Sequence, residues 1–411
     1  MGHHSTVFGQ FLRLIPRHVF DALATAHHDG APLRRMTRFS QFVALATAHL
    51  AKRHSLRDVV ANLAAQAAHL YHLGARPVAR TSLARVNEEQ PWTLYEALFG
   101  QLYARCHRVA PRHGFRFKNK LYSLDSSLID LSLAVFPWAH YALGKAAMKL
   151  HLGLDHDGML PAFAVVTESR VADLAEARRL VFPRRSIVVF DKGYSDCAWM
   201  KSLGEGGVFF VTRARTNIDA TTLAEHVVPT AESVRFDRRI ALAGKRPREM
   251  AMKPLRLVGY TCPETGRDYV FLTNIEHLAA QTIADLYKAR WQVELFFKWL
   301  KQNLKLKGFL GTSKNAVLTQ IWAALCVSLL LAYLKFVSRV DLFARRSIDA
   351  TDRAIAPAQL VPAPRSLGAV QEQAAAPAIT ARSMGASPMI RLTDPLWDSS
   401  GSDSHSSGKK Q

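Results

Sequence analysis

The feature that most constrains this chain is the stretch Tyr287-Lys-Ala-Arg290-Trp-Gln-Val-Glu294-Leu-Phe-Phe-Lys-Trp-Leu-Lys301, because its polar residues fall on one narrow arc when it is wound as a helix. At about 100° per residue, with Tyr287 at zero, Arg290 lies near 300°, Lys301 near 320° and Glu294 near 340°. A phenol, a guanidinium, an ammonium and a carboxylate therefore share one face. Leu286, Val293, Phe297, Leu300 and Leu304 fall between roughly 220° and 280° on the same wheel, an apolar stripe beside the polar one. The polar groups thus sit at the rim of a buried face, where a carboxylate among three donors suits a site for metal and phosphate. The same spacing also suits an ordinary i,i+4 pair between Arg290 and Glu294, worth only about 0.3 kcal/mol on an exposed helix.

Two further carboxylates each follow a β-type run. Asp125 lies in the alternating segment Lys120-Leu-Tyr-Ser-Leu-Asp125-Ser-Ser, a strand pattern. Asp191 ends the continuous apolar run Ser186-Ile-Val-Val-Phe190 and is followed by Lys192-Gly193-Tyr194. Such a run suits a strand covered on both faces, and an acid at its carboxyl end suits a site at the edge of an α/β sheet. The plainer reading of either aspartate is a cap or turn residue.

These residues resemble the DDE transposases of bacterial insertion sequences, in the branch called insertion-sequence family 4. The resemblance rests on Asp125, Asp191 and Glu294 together with the spacing Tyr287-x2-Arg290-x3-Glu294-x6-Lys301, and on the text around them. That text includes Asp191-Lys-Gly-Tyr194, Phe210-Val-Thr-Arg213, Phe271-Leu-Thr-Asn274 and Phe309-Leu-Gly-Thr-Ser313. It extends over about residues 35 to 340.

The resemblance implies an α/β fold: a ribonuclease-H-like catalytic core with a β-rich insertion, preceded by a helical DNA-binding domain. The pattern independently permits it. Strands are predicted at Ala147–Leu154 and Leu160–Val166, joined by Asp155-His156-Asp157-Gly158, where Asp-Gly is a hairpin signal. A His-Asp metal pair is the other reading of that segment. A helix is predicted over about Asp173 to Leu180, then the strand leading to Asp191, another helix, and a strand at Gly207–Thr212. From Asp191 to Glu294 is 103 positions, whereas a strand, a helix and a return to the sheet need only about 30. The surplus predicts an insertion over residues 214–275, with β-like runs at Leu255–Tyr260 and Asp268–Thr273 and basic stretches at Arg235–Arg239 and Lys245–Arg248. In relatives such an insertion covers the DNA end, and Tyr269 is a candidate to stack on an unpaired base there. Tyr269 also reads simply as a sheet aromatic.

The core is thus expected over residues 116–213 and 276–340, after a helical N-terminal DNA-binding domain over 1–115. Ser55-Leu-Arg-Asp58 resembles a capping box, and Ala79–Asn87 suits the second helix of a turn-separated pair. In this class such a domain recognises terminal inverted repeats, which makes Arg80 and Arg85 candidate DNA contacts. They read equally as solvated arginines on a packing helix. Residues 341–411 are rich in Ala, Pro, Ser and Gly and are expected to be disordered. They depart from the family pattern, and the reading is that they are dispensable or continue a disrupted frame.

Fifty-four Lys and Arg against thirty-three acids give a formal net charge of +21, which favours a polyanion partner without naming a sequence. An RNA-binding protein would fit that charge too; the carboxylate set argues for chemistry. The four cysteines are solitary, suggesting neither a zinc knuckle nor a disulfide framework. With no signal-peptide core at the start, the expectation is a reduced, cytoplasmic, nucleoid-associated protein. The run Ile321–Leu334 is about 14 residues, short of the roughly 20 that span a bilayer, and reads as a core helix backing the catalytic helix. No membrane partner and no nucleotide cofactor are expected.

The resemblance implies two Mg2+ ions about 3.5 to 4 Å apart, with Mn2+ as a substitute, held by Asp125, Asp191 and Glu294. Tyr287, Arg290 and Lys301 would bind phosphates beside the scissile bond, with Lys298 near by. The partners implied are double-stranded DNA, as inverted repeats and as target, and a second copy of the chain in a paired-end complex. Two alternatives share the acids: a ribonuclease-H-like nuclease without strand transfer, and an inactive transposase-derived DNA-binding protein.

Overall fold

The computed structural model describes residues 7–338 apart from 35, 143–144, 229–232 and 305–307. The expected tail at 341–411 therefore lies outside the described residues. Ten strands join in one sheet: β1 (Leu121–Leu131), β2 (His140–Ala142), β3 (Lys145–Asp155), β4 (Leu160–Glu168), β5 (Ile187–Phe190), β6 (Phe209–Arg213), β7 (Ala220–Glu225), β8 (Val234–Leu242), β9 (Leu255–Thr261) and β10 (Asp268–Thr273). The order is β2-β3-β1-β5-β6-β10-β9-β8-β7, with β4 also paired to β3. β1 runs parallel to β5 and β5 to β6, while the pairs on either side of this trio are antiparallel.

β5 shows why a continuous apolar run predicted a doubly covered strand. Ile187 and Val189 enter the core on one face, and Val188 and Phe190 enter the core on the other. The β3–β4 connection is a turn, as Asp-Gly predicted: Asp157 N donates to Asp155 Oδ1 at 2.9 Å, and Gly158 and Met159 take positive φ of 71° and 54°. Its polar groups are already engaged. Asp155, fully buried, accepts from Tyr103 at 2.9 Å and from Lys120 at 3.2 Å; Lys120 also holds Asp157, and His156 pairs with Ser123 at 2.6 Å.

The insertion is not a separate layer. β10 pairs with β6, so β7 to β10 extend the core sheet as an antiparallel meander. Across β8 and β9, Arg256 makes a two-pronged pair with Asp237 at 2.8 and 2.6 Å, both side chains 6% exposed.

Among the described residues, seven helices precede the sheet: α1 (Val7–Arg13), α2 (Arg17–Ala26), α3 (Arg38–Leu50), α4 (Leu56–Ala65), α5 (Ala67–Leu70), α6 (Arg80–Glu89) and α7 (Thr93–Val109). The capping signal at α4 holds in half: Ser55 Oγ accepts from Asp58 N at 3.1 Å. Ser55→Ala is expected to cost about 1 kcal/mol, read as a lower urea midpoint at unchanged slope; an unmoved midpoint would mean that water replaces the cap without loss.

Six helices follow β1: α8 (Asp173–Ala177), α9 (Cys197–Glu205), α10 (Lys245–Glu249), α11 (Ala280–Ala289), α12 (Trp291–Asn303) and α13 (Lys314–Ser338). α8 is shorter than the predicted Asp173–Leu180 helix, because Arg179 N and Leu180 N bond three residues back, at 3.0 and 3.1 Å, and tighten the chain into turns. α13 is longer than the apolar run suggested. By length and composition it would pass for a membrane span, yet most of its apolar stretch is buried within the protein. Its main neighbours are α7, α3, α6 and β4. It therefore completes the core of the N-terminal helices more than it backs α12. One apolar cluster joins those helices, one side of β1, β3 and β4, α12 and α13, so no break in the core accompanies the expected boundary near residue 115.

Candidate active site

The parallel register pairs Leu121 to Leu124 with Ile187 to Phe190. Asp125 and Asp191 are each the next residue, at the carboxyl end of this pair, where strands lie about 4.8 Å apart. β1 continues beside β3 while β5 stops, and this opens the crevice in which acids at strand ends become accessible. The two aspartates are half-buried. Asp191 precedes a short turn at Lys192–Tyr194 but makes no side-chain cap; its Oδ1 accepts from the Tyr287 hydroxyl at 3.0 Å. Asp125 Oδ1 accepts from Ser126 N at 2.8 Å.

The signature segment is two helices rather than one. Arg290 keeps helical angles, φ −52° and ψ −33°, but Arg290 N and Val293 N bond three residues back, to Tyr287 O at 3.1 Å and Arg290 O at 3.0 Å. That tightened step divides α11 from α12. It also divides the polar arc between the two aspartates. Tyr287, on α11, reaches Asp191. Arg290 lies 3.3 Å from Asp125 Oδ2 through Nη1 and 2.6 Å from Glu294 Oε1 through Nη2. Two turns beyond Glu294, Lys301 Nζ donates to Ser127 Oγ at 2.7 Å and to Leu128 O at 2.6 Å, fixing α12 to the continuation of β1.

The structure thus gathers Asp125, Asp191, Glu294, Tyr287, Arg290 and Lys301 around one strand-end crevice. Lys298 is exposed on α12 and joins none of these contacts. Tyr269 is a half-buried sheet aromatic, stacked on Phe271 at 6.1 Å with the Arg213 guanidinium 5.4 Å from its ring. Phe271 in turn lies 4.9 Å from the Tyr287 ring, so Tyr269 borders the site through an aromatic chain. Arg80 and Arg85 are exposed on α6, away from this cluster, and Arg85 makes only a loose 3.8 Å pair with Glu89. Sequence reasoning quoted Ser126, Ser127, Tyr194 and Arg213 without giving them a part. The signal was their adjacency to the two aspartates and to the next strand end.

Burial is the main reason that the Asp125 carboxyl is pushed up to about 6; the negative charges of Glu294 and Asp191 add to it, while Ser126 N and Arg290 oppose it. Tyr194, buried under the same strand ends, has its phenol raised by burial and by Asp173 and Asp125. Carboxylates collected on one rim, one of them held above its usual range, define a site with more negative charge than its single guanidinium balances.

Residues 117–330 match the family described as the transposase DDE domain. Residues 3–76 match a domain of unknown function, DUF4372. The transposase y4zB of Sinorhizobium fredii is 31% identical over 297 residues, which is 68% of this chain and 80% of that protein. A transposase for the insertion sequence element IS5377 of Geobacillus stearothermophilus is 30% identical over 256 residues, 62% of this chain and 67% of the relative. A transposase for the element IS4SA of a Synechocystis strain is 25% identical over 225 residues, 52% of this chain and 60% of the relative. The chain belongs to the DDE transposase family. It is an enzyme of DNA transposition, built on the α/β ribonuclease-H-like core that the resemblance implied.

The cofactor implied for such an enzyme is a divalent metal ion. The chemistry of the donor set suits one: three carboxylates, hard oxygen donors, lie at two adjacent strand ends and on one helix. As the side chains stand, no three metal-ligand groups among the described residues are close enough to enclose an ion, and the Arg290 guanidinium contacts both Asp125 and Glu294.

Proposed function

We propose that this transposase cuts DNA at the ends of an insertion sequence and joins the freed 3′ ends to target DNA, using Asp125, Asp191 and Glu294 as its catalytic carboxylates. The observation that carries this reading is the convergence of the three acids at the β1/β5 edge, with a guanidinium, a phenol and an ammonium beside them. Asp125, Asp191 and Glu294 would hold the metal ions, two in the full mechanism, with Mg2+ the natural choice and Mn2+ able to replace it. Metal bound there supplies Lewis acidity, favouring a nucleophilic water or 3′-hydroxyl and stabilising charge on the departing oxygen.

The chain's own groups do the rest. Arg290 offers a planar fork to a phosphate, and Lys301 a point charge at the other end of α12. Tyr287 orients Asp191 and borders the same phosphate path. Ser126 N holds Asp125 in place from its own strand. Lys298, Tyr269, Arg80 and Arg85 are assigned to more distant DNA contacts, as the exposed charge on α12 and α6 and the aromatic chain beside the site support. Two ends must be processed together, which favours a homodimer in the paired-end complex.

Tyr287→Phe separates orientation from binding. Loss of the 3.0 Å bond to Asp191 is expected to slow cleavage about tenfold, with DNA affinity within about twofold of the parent. Single-turnover rates and a filter-binding titration on one duplex measure both. An affinity loss as large as the rate loss would assign the phenol to DNA instead. The broader reading is tested by incubating the protein with a labelled duplex ending in the element's terminal repeat, plus Mg2+ and a target plasmid. Cuts at the repeat boundary followed by joined products support it; cutting without joining favours the nuclease, and binding without cutting the inactive descendant.

A further inference from the structure

We propose that Arg290 is a built-in stand-in for the metal: in the free protein it bridges Asp125 and Glu294, and its transfer to a DNA phosphate opens these carboxylates to the cation, so that DNA and metal bind cooperatively. The inference rests on the reading of Asp125 and Glu294 as metal ligands and adds to it an order of events.

The geometry makes guanidinium and metal alternatives at these atoms. Arg290 contacts Asp125 Oδ2 at 3.3 Å and Glu294 Oε1 at 2.6 Å, so the guanidinium takes up one oxygen of each carboxylate that a cation would need. The Arg290 side chain is 12% exposed and those of its partners 21% and 32%, so the carboxylates are more accessible to solvent than the guanidinium that joins them. The arrangement is not the best available to an arginine. Its fork is split between carboxylates on two different elements, and Nε is buried without an acceptor. A phosphate accepts two parallel hydrogen bonds from one guanidinium edge, and so offers Arg290 a better partner than either carboxylate alone.

Charge explains why a stand-in is needed. Carboxylates brought together from β1 and α12 repel one another, and an empty pair of this kind would splay apart. A monocation at the junction that leads into α12 holds them together until a dication replaces it. When the guanidinium turns to phosphate, every charge remains paired: arginine with DNA, carboxylates with metal. A free enzyme would then hold metal poorly, which confines cutting to DNA that is properly seated. Linkage is reciprocal, so the factor by which DNA tightens metal binding equals that by which metal tightens DNA binding.

The test is Mn2+ binding, followed by electron paramagnetic resonance of the free ion, for the full chain with and without a duplex ending in the terminal repeat. In the parent, DNA is expected to tighten Mn2+ binding about tenfold or more. Without DNA, Arg290→Gln is expected to bind Mn2+ about tenfold more tightly than the parent, and addition of DNA should then change little. Arg290→Lys, which keeps the charge but reaches one carboxylate at a time, provides the same comparison if the glutamine variant fails to fold, with an intermediate affinity expected. Equal Mn2+ affinity of parent and both variants without DNA would overturn the stand-in; if Glu294→Gln still abolished that binding, the reading of the acids as ligands would survive. Absence of any Glu294-dependent Mn2+ binding, with or without DNA, would overturn both.

Discussion

Glu294→Gln is expected to abolish cleavage of a terminal-repeat duplex, lowering the single-turnover rate by about a thousandfold or more, while the protein remains folded and DNA-binding. The size of the effect follows from the donor set. Asp125 and Asp191 are fixed by strand pairing, but Glu294 is the carboxylate brought by a helix to close the site, and an amide is a far weaker ligand for a hard cation. Little stability is at stake, because Glu294 is a third exposed and its ion-pair partner is Arg290, one turn away. A thermal midpoint within about two degrees of the parent is therefore expected, given surface changes of at most about 0.5 kcal/mol. A variant that lost cleavage and melted much earlier would say that Glu294 holds the fold, and that the rate loss reports unfolding.

The second large effect is on stability and lies far from the acids in sequence. Arg256→Met is expected to destabilise the protein by about 3 to 5 kcal/mol, the usual cost of leaving a buried charge without its partner. Asp237 would lose both prongs of its pair, and Ile275 O and Leu278 O would lose the guanidinium Nη1 that donates to them at 3.1 and 2.6 Å. Those two carbonyls lie on the segment entering α11, so this pair ties the insertion to the helix that carries Tyr287. Chemical denaturation of Arg256→Met and of the double variant with Asp237→Leu measures it. The double variant is expected to regain most of the loss, because a matched apolar pair replaces the buried ions; equal destabilisation in both would mean that the bonds to the two carbonyls, not the ion pair, dominate.

The parts of this architecture legible in the sequence are those that short-range pattern controls. Ile187 to Phe190 fill cores on both faces of the sheet, so the run had to be apolar throughout, and the acid that ends it stands out. The i,i+4 spacing of Arg290 and Glu294 likewise survives folding as a direct contact. What the sequence hid depends on long-range pairing. That the insertion continues the core sheet follows from β10 finding β6, and a strand does not announce its neighbour. The break at Arg290 was invisible because both halves have good helical pattern and only the hydrogen bonds tighten. The apolar run in α13 identified a core helix but not which core, since its partners α3, α6 and α7 lie over 200 residues earlier. Asp155, read as the first residue of a turn, is the last residue of β3, and its burial beneath Tyr103 and Lys120 depends in part on an N-terminal helix that no local pattern connects to it.

Within the site the same division holds. The three acids and the three donors were marked by spacing, whereas the assignment of Tyr287 to Asp191, of Arg290 to Asp125 and of Lys301 to Ser127 required the crevice itself. Of these, the pairing of Arg290 has the widest consequence. It accounts for a carboxylate rim that is chemically suited to a cation while its gap is already filled by the protein's own positive charge.

Exchange of ligand type is the sharpest test of the proposal that Asp125 and Asp191 act together with Glu294 as ligands of a DNA-cutting metal centre. Asp125→Cys and Asp191→Cys proteins would be assayed for cutting of an end-labelled terminal-repeat duplex in Mg2+ and in Mn2+, beside the parent. The account expects both variants to be inert in Mg2+, which avoids sulfur, and to recover part of the parent's cutting at the same boundary in the softer Mn2+. Undiminished cutting by either variant in Mg2+ would contradict it.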